Sequence, residues 1–249
     1  GTYSKDYAYH YRTANFLCHE VFLKQAWGNI ENEIAVLWLC SSLEHIVDLY
    51  EVYQANPVVP PELIMRCVPG VSLQEMLRRQ PVNQYITEQN VKRVIRDILH
   101  ALGSLHRFGI AHLDLKPKKV LLLGGRFGEG VKLCGFRLAR LMYGEVLAVC
   151  NITIDREYKA PELIRLEAVS LATDIWSVGV MAHVMLTASR NSVLPNPGRG
   201  PIAFINILRP QMSAQAVDFI DRCKGQQSDR PTVEQCLAHL WLADAPAHE

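Results

Sequence analysis

Fifteen residues, "TDIWSVGVMAHVMLT" from Thr173 to Thr187, constrain this chain more than any other stretch. They are apolar on nearly every side, and a helix without a polar face has to be surrounded by protein. They are also shorter than the roughly 20 residues that a bilayer span requires. A helical body must therefore be built around them. The neighbouring segments supply it. "SLQEML" opens with a capping box from Ser72 to Glu75, and "TVEQCLAHLW" with another from Thr232 to Gln235. Residues 88–107 set Val91, Val94, Ile95, Ile98, Leu102 and Leu105 on one helical face, and Gly109 suits the stop. The first 70 residues read differently. "HEVFLKQ", "DLYEVYQ" and "ELIMRC" have strand character, "NPVVPP" separates the last two, and "IENEIAVLWL" reads as a helix. "SVLPNPGRGP" reads as a surface loop. The expected architecture is α+β in a single domain over residues 1–249. A small strand-rich N-lobe with one helix covers about 1–68, and a larger helical C-lobe about 69–249.

Composition excludes several classes of function. A net charge of +1 over 249 residues gives no long-range pull on nucleic acid or on an acidic membrane. Seven cysteines are scattered singly with no C-x-x-C spacing, which argues against zinc and against a disulfide framework. Reduced thiols of this kind suit the cytosol.

The chemistry-bearing stretch is "HLDLKPKKVLLLGGRFGEGVKLCGFRLAR", His112 to Arg140. "HLDLKP" resembles the catalytic loop of eukaryotic protein kinases, and "VKLCGFRLAR" lies where that family carries its metal-binding D-F-G segment. "EYKAPEL" resembles the A-P-E segment, "TDIWSVGV" the central helix, and "SDRPTVEQCLAHLWL" the closing helix. "VFLK" is similar to the strand that presents a lysine to ATP, and "NEIAVL" to the helix with its glutamate partner. These motifs follow one another in the family's order over nearly the whole chain, which is far more specific than any one alone. Leucine in "HLD" is similar to the titin–obscurin–twitchin muscle kinases and the death-associated kinases. The finest form of the likeness is to the first, degenerate kinase domain of obscurin-like proteins.

The resemblance implies a task for each position. Lys24 would hold the α- and β-phosphates, and Glu33 would orient it. Met65 and Cys67 would line the nucleotide pocket. Asp114 would accept the hydroxyl proton, and Lys116 would meet the γ-phosphate. His112 would pack with Phe136 and Leu37, Asp174 would hold the loop backbone, and Glu162 and Arg230 would form a buried ion pair. Three other readings remain open: Asp114 with Lys116 as an ordinary surface pair in a loop, Lys24 with Glu33 as a purely structural pair, and Lys119 as a solvated surface lysine.

Departures from the family pattern concentrate on phosphate and metal. The two positions that would ligate magnesium hold Lys119 and Gly135, and magnesium requires hard oxygen ligands. Arg137 replaces the glycine of D-F-G, and Asp155 a threonine expected to bond Asp114 and Lys116. Asp155 is expected to engage Lys116 instead. A G-x-G-x-x-G loop is missing, since "GTYSKD" keeps only Gly1 and sets Tyr3 and Asp6 at the other two places. Lys24 and Glu33 are only nine positions apart. These features lead to the expectation of a kinase fold that is no longer an enzyme, with no metal site. It would act as a scaffold or allosteric regulator of a protein partner such as an active kinase, and ATP would bind without magnesium. The alternative is a weakly active Ser/Thr kinase working by a metal-independent route. A cytoplasmic, sarcomeric place is implied. No nucleic acid, membrane or calmodulin is expected as a partner, because no basic amphipathic helix follows Trp241 within this segment.

Overall fold

The structure is a computed structural model. It describes residues 7–11, 19–25, 30–54, 61–79, 86–142, 146–147, 157–188 and 212–243. Strands β1 (Tyr7–Tyr11), β2 (His19–Gln25), β3 (Leu49–Tyr53) and β4 (Glu62–Arg66) form an antiparallel sheet in the order β1-β2-β4-β3. Helix α1 (Ile30–Leu39) covers the stretch read as helical. It buries Ile30, Glu33, Val36 and Leu37, which recur at helical spacing. The "NPVVPP" break and the "SVLPNPGRGP" and "GTYSKD" stretches lie largely or wholly outside the described residues.

From Gly70 onward helices dominate. After β5 (Gly70–Ser72) comes α2 (Leu73–Arg79). Only half of the first capping box forms: Ser72 Oγ accepts the Glu75 N–H at 3.1 Å, while Glu75 Oε1 turns to Arg79 Nε at 2.9 Å. Helix α3 (Glu88–His106) starts at Thr87, whose hydroxyl accepts the Asn90 N–H. Its six apolar-face residues are all completely buried. Gly109 has φ 67°, a left-handed turn that a Cβ would oppose, and here it ends the helix.

The chain then runs through β6 (Ile110–Ala111), a 3₁₀ turn (Pro117–Lys119), β7 (Val120–Leu123) and β8 (Val131–Leu133). Next come β9 (Arg140–Leu141), β10 (Val146–Leu147), α4 (Pro161–Arg165) and β11 (Ala168–Val169). Helix α5 (Ala172–Ala188) contains the all-apolar stretch and is packed by α3 and by α6 (Ala214–Cys223). Two short helices, α7 (Val233–Leu237) and α8 (Leu240–Ala243), close the body. In α7 both halves of the Thr232–Gln235 capping box are present. Glu88 at the start of α3 collects Ser213 Oγ at 2.6 Å and Trp241 Nε1 at 2.8 Å, tying α6 and α8 to it. Among the described residues no helix is long and apolar enough to cross a membrane.

The segment between α1 and β3 is bonded to β8. His45 O accepts the Leu133 N–H at 2.8 Å, and Leu133 O accepts the Val47 N–H at 3.1 Å. The site lies where these parts meet.

Candidate functional site

The loop from His112 to Lys116 is held from beneath by one carboxylate. Asp174, in the first turn of α5, is 1% exposed. Its Oδ2 accepts the His112 N–H at 2.7 Å and its Oδ1 the Leu113 N–H at 2.8 Å, while His106 Nε2 lies 3.1 Å from Oδ2. Leu113 sits at φ 58°, a left-handed conformation costing about 1–2 kcal/mol for an L-residue. The bond to Oδ1 holds it there. His112 is fully buried, with its ring centroid 5.0 Å from that of Phe136, which shares one core cluster with Leu37. Its Nδ1 accepts the Asp114 N–H at 3.3 Å, so Nε2 carries the proton and donates to Cys134 O at 3.2 Å. Burial pushes its pKa below the ordinary imidazole value, which fits this neutral form.

Above that platform Lys116 Nζ donates to Asp114 Oδ1 at 3.0 Å, with the two side chains 15% and 14% exposed. The pair is sheltered yet open to a reactant. Asp155, expected to engage Lys116, lies outside the described residues.

The β7–β8 hairpin brings Lys119 and Gly135 together. Val120 pairs with Leu133, and one step outward the Cys134 N–H donates to Lys119 O at 3.0 Å. Gly135 has φ 80°. A Cβ built on it would meet Lys119 Cδ and Cε at 2.8 Å and Nζ closer still. The lysine thus occupies the space that a side chain at residue 135 would need. Its side chain is half-buried.

This arrangement answers whether magnesium fits. The D-F-G position offers no carboxylate, and the other ligand position projects an ammonium into the same volume. An ammonium donates hydrogen bonds only and repels a cation. The residues do not fit the ion.

The remaining sequence candidates divide. Glu33 is 1% exposed on α1. Lys24 stands opposite Leu63 in the β2–β4 ladder, and its side chain lies outside the described residues. Met65, on β4 opposite Leu49, packs against the core, and half-buried Cys67 follows the strand end. Glu162 and Arg230 form a bidentate pair at 2.6 and 3.0 Å, 4% and 2% exposed. Burial alone would raise the Glu162 pKa, but the Arg230 bonds outweigh it and hold the carboxyl below its usual range.

Asn32 is the residue that sequence reasoning missed. From the first turn of α1 its Nδ2 donates to Ala139 O at 2.8 Å and lies 3.4 Å from Phe136 O and Arg137 O. It clamps the turn following Gly135. Nothing local marks it, since an asparagine beside a glutamate on a helix is unremarkable.

Comparison with known proteins now has a geometry to rest on. The sequence profile described as protein kinase domain matches residues 16–242. A Drosophila melanogaster protein named death-associated protein kinase related is 34% identical over 239 residues, covering 93% of this chain and 35% of that one. Serine/threonine-protein kinase 17A of Oryctolagus cuniculus is 30% identical over 224 residues, covering 87% and 55%. A probable myosin light chain kinase of Dictyostelium discoideum is 31% identical over 221 residues, covering 84% and 67%. The chain thus spans a third to a half of the first two relatives. The structure of titin kinase with its flanking domains superposes with TM-score 0.70 at 22% identity, covering 91% of this chain and 42% of that one. This likeness shows the fold.

These relatives overturn the expectation that the chain is no enzyme, for they carry the names of kinases, one of them a serine/threonine-protein kinase. The physical reason is that two absent ligands remove one means of positioning phosphates, not the reacting groups: the Asp114–Lys116 pair stands assembled. The chain belongs to the protein kinase family, in the branch of the death-associated and myosin light chain kinases.

Proposed function

We propose that this chain transfers the γ-phosphoryl group of ATP to a serine or threonine hydroxyl of a protein, slowly and without a magnesium clamp. What carries the reading is the Lys116–Asp114 pair at 3.0 Å beside a lysine that fills the space over Gly135. The Asp114 carboxylate takes the proton as the hydroxyl oxygen bonds to phosphorus, and the bond from phosphorus to the ADP oxygen breaks. Lys116 and Lys119 offer fixed positive charge to the phosphates. One such charge pair at ~4 Å and an effective dielectric of ~20 is worth on the order of 4 kcal/mol before desolvation. Fixed cations lack the octahedral geometry with which a metal aligns the reacting oxygens, so transfer is slow.

Lys24 and Glu33 would serve the α- and β-phosphates, and Met65 and Cys67 would border the base. The boundary between lobes would fall near residue 68. Protein substrates are the partners this reading requires. A cytoplasmic and sarcomeric place draws its support from the names of the titin and myosin light chain relatives, and the finer likeness to obscurin-like proteins rests on motif resemblance.

The test is phosphate incorporation into a mixed protein substrate, in chelator and in magnesium. Slow transfer persisting in chelator and lost in Asp114→Asn is expected. Transfer that survives Asp114→Asn unchanged, or that requires magnesium, overturns the reading.

A further inference from the structure

The acceptor side of the site carries a charge pattern that phosphate chemistry leaves unexplained. Lys116 faces Asp114 and Lys119 faces Gly135, but Lys118 lies between them and is exposed. The backbone of the turn does not depend on it: Pro117 opens the turn, and the Lys119 N–H closes onto Lys116 O at 2.8 Å. Helix α2 packs against this turn. Its last turn carries Arg78 and Arg79, both exposed, and Glu75 is engaged by Arg79 at 2.9 Å. Arg137 is exposed two residues beyond Gly135. Among the described residues of the loop and its flanks, residues 112–119 and 135–140, Asp114 is the single carboxylate and Lys116 binds it. The whole chain has a net charge of only +1, so this concentration is local.

From this pattern, and resting on the reading of Asp114 as the group that receives the acceptor hydroxyl, we infer that the site takes acidic peptides. Lys118 and Arg78 form a surface for glutamate or aspartate side chains flanking the acceptor residue. Reach supports it. An extended peptide advances about 3.3 Å per residue, so side chains two or three positions from the acceptor lie roughly 7–10 Å from Asp114. That is about one Debye length at physiological salt, near enough for the exposed cations to act on them at low salt. Lys-flanked peptides meet like charge on the same path, and that repulsion adds discrimination.

The experiment uses three fluorescent peptides with one serine each, flanked by glutamates, glutamines or lysines. Anisotropy gives affinity without nucleotide, and phosphate incorporation is followed in parallel. The glutamate peptide is expected to bind about tenfold tighter than the lysine peptide at low salt, with the gap closing as salt rises. Lys118→Glu with Arg78→Glu, neither placed in the transfer machinery, is expected to reverse the order. Equal affinities, or an order unchanged by the double substitution, overturn the inference. So does a single-stranded oligonucleotide or an anionic vesicle that displaces the glutamate peptide at equal charge concentration. If the glutamate peptide binds as expected but no peptide is phosphorylated, the basic surface stands and the transfer reading falls.

Discussion

The catalytic-type loop is gripped from two sides by opposite means. Beneath it, Asp174 is buried and saturated, with two amide donors and His106 on its two oxygens. Above it, Lys119 leans over a glycine whose missing side chain makes the room. The first grip is an anion satisfied by two backbone amides and an imidazole, which sets backbone position. The second is a half-buried cation set over a glycine, which sets the charge a ligand meets. The difference separates stability from chemistry: the lower side can be damaged only by unfolding the loop, whereas the upper side can be rewritten while the loop stays in place.

The strongest way to break the lower side is at the ion pair that anchors α4 to the body. Glu162→Ala would leave Arg230 buried without its counter-charge, donating to Gly225 O and Ala172 O alone among neutral acceptors. A loss of about 3–5 kcal/mol is expected in urea unfolding. The pH dependence sharpens this. The folded Glu162 pKa lies below its unfolded value of about 4.3, so the pair's contribution is present above that value and lost as pH falls through the folded pKa. In Arg230→Leu the carboxylate is buried without its cation, its folded pKa rises, and stability should instead increase as pH falls from 7 toward 5.

Asp174→Asn keeps one acceptor oxygen and loses the other, so the His112 or the Leu113 amide is orphaned. About 1–3 kcal/mol is expected, together with a fall in transfer, because Leu113 loses what holds its left-handed turn. A variant as stable and as active as the original would detach the platform from the loop.

The upper side should respond through coupling. Gly135→Asp alone collides with Lys119, at a cost of about 1–3 kcal/mol. With Lys119→Asn also present, part of that cost should vanish, giving a coupling of about 0.5–2 kcal/mol in a double-mutant cycle. Strict additivity would mean that the lysine does not occupy that space.

Asn32→Ala is the mildest test, at about 0.5–1.5 kcal/mol for its bond to Ala139 O. Its effect on transfer should exceed its effect on stability, since the turn it clamps follows Gly135. Equal and small effects would make the clamp incidental.

Local elements were largely legible. The bounds of α1 coincide with "IENEIAVLWL", and Thr232 with Gln235 forms the capping box its spacing announces. Ser72 with Glu75 reached only half a box because Arg79, one turn on, competes for the carboxylate. A pattern of residue types cannot rank two partners that are equally near. Resemblance located Asp114, Lys116, Asp174 and the Glu162–Arg230 pair. It misled on enzymatic status, because it counted absent ligands without weighing the groups that remain.

The sequence by itself determined which segments coil or extend and that one helix must be enclosed, because periodicity and capping act over a few residues. It also determined that Lys119 and Gly135 depart together. What that departure does was decided only in three dimensions. The β7–β8 register sets a lysine against a glycine sixteen residues later, and α1 sets Asn32 against a turn more than a hundred residues away. Such contacts follow from how already formed elements pack, and the free energy that selects the packing is spread over the whole core rather than written at either residue.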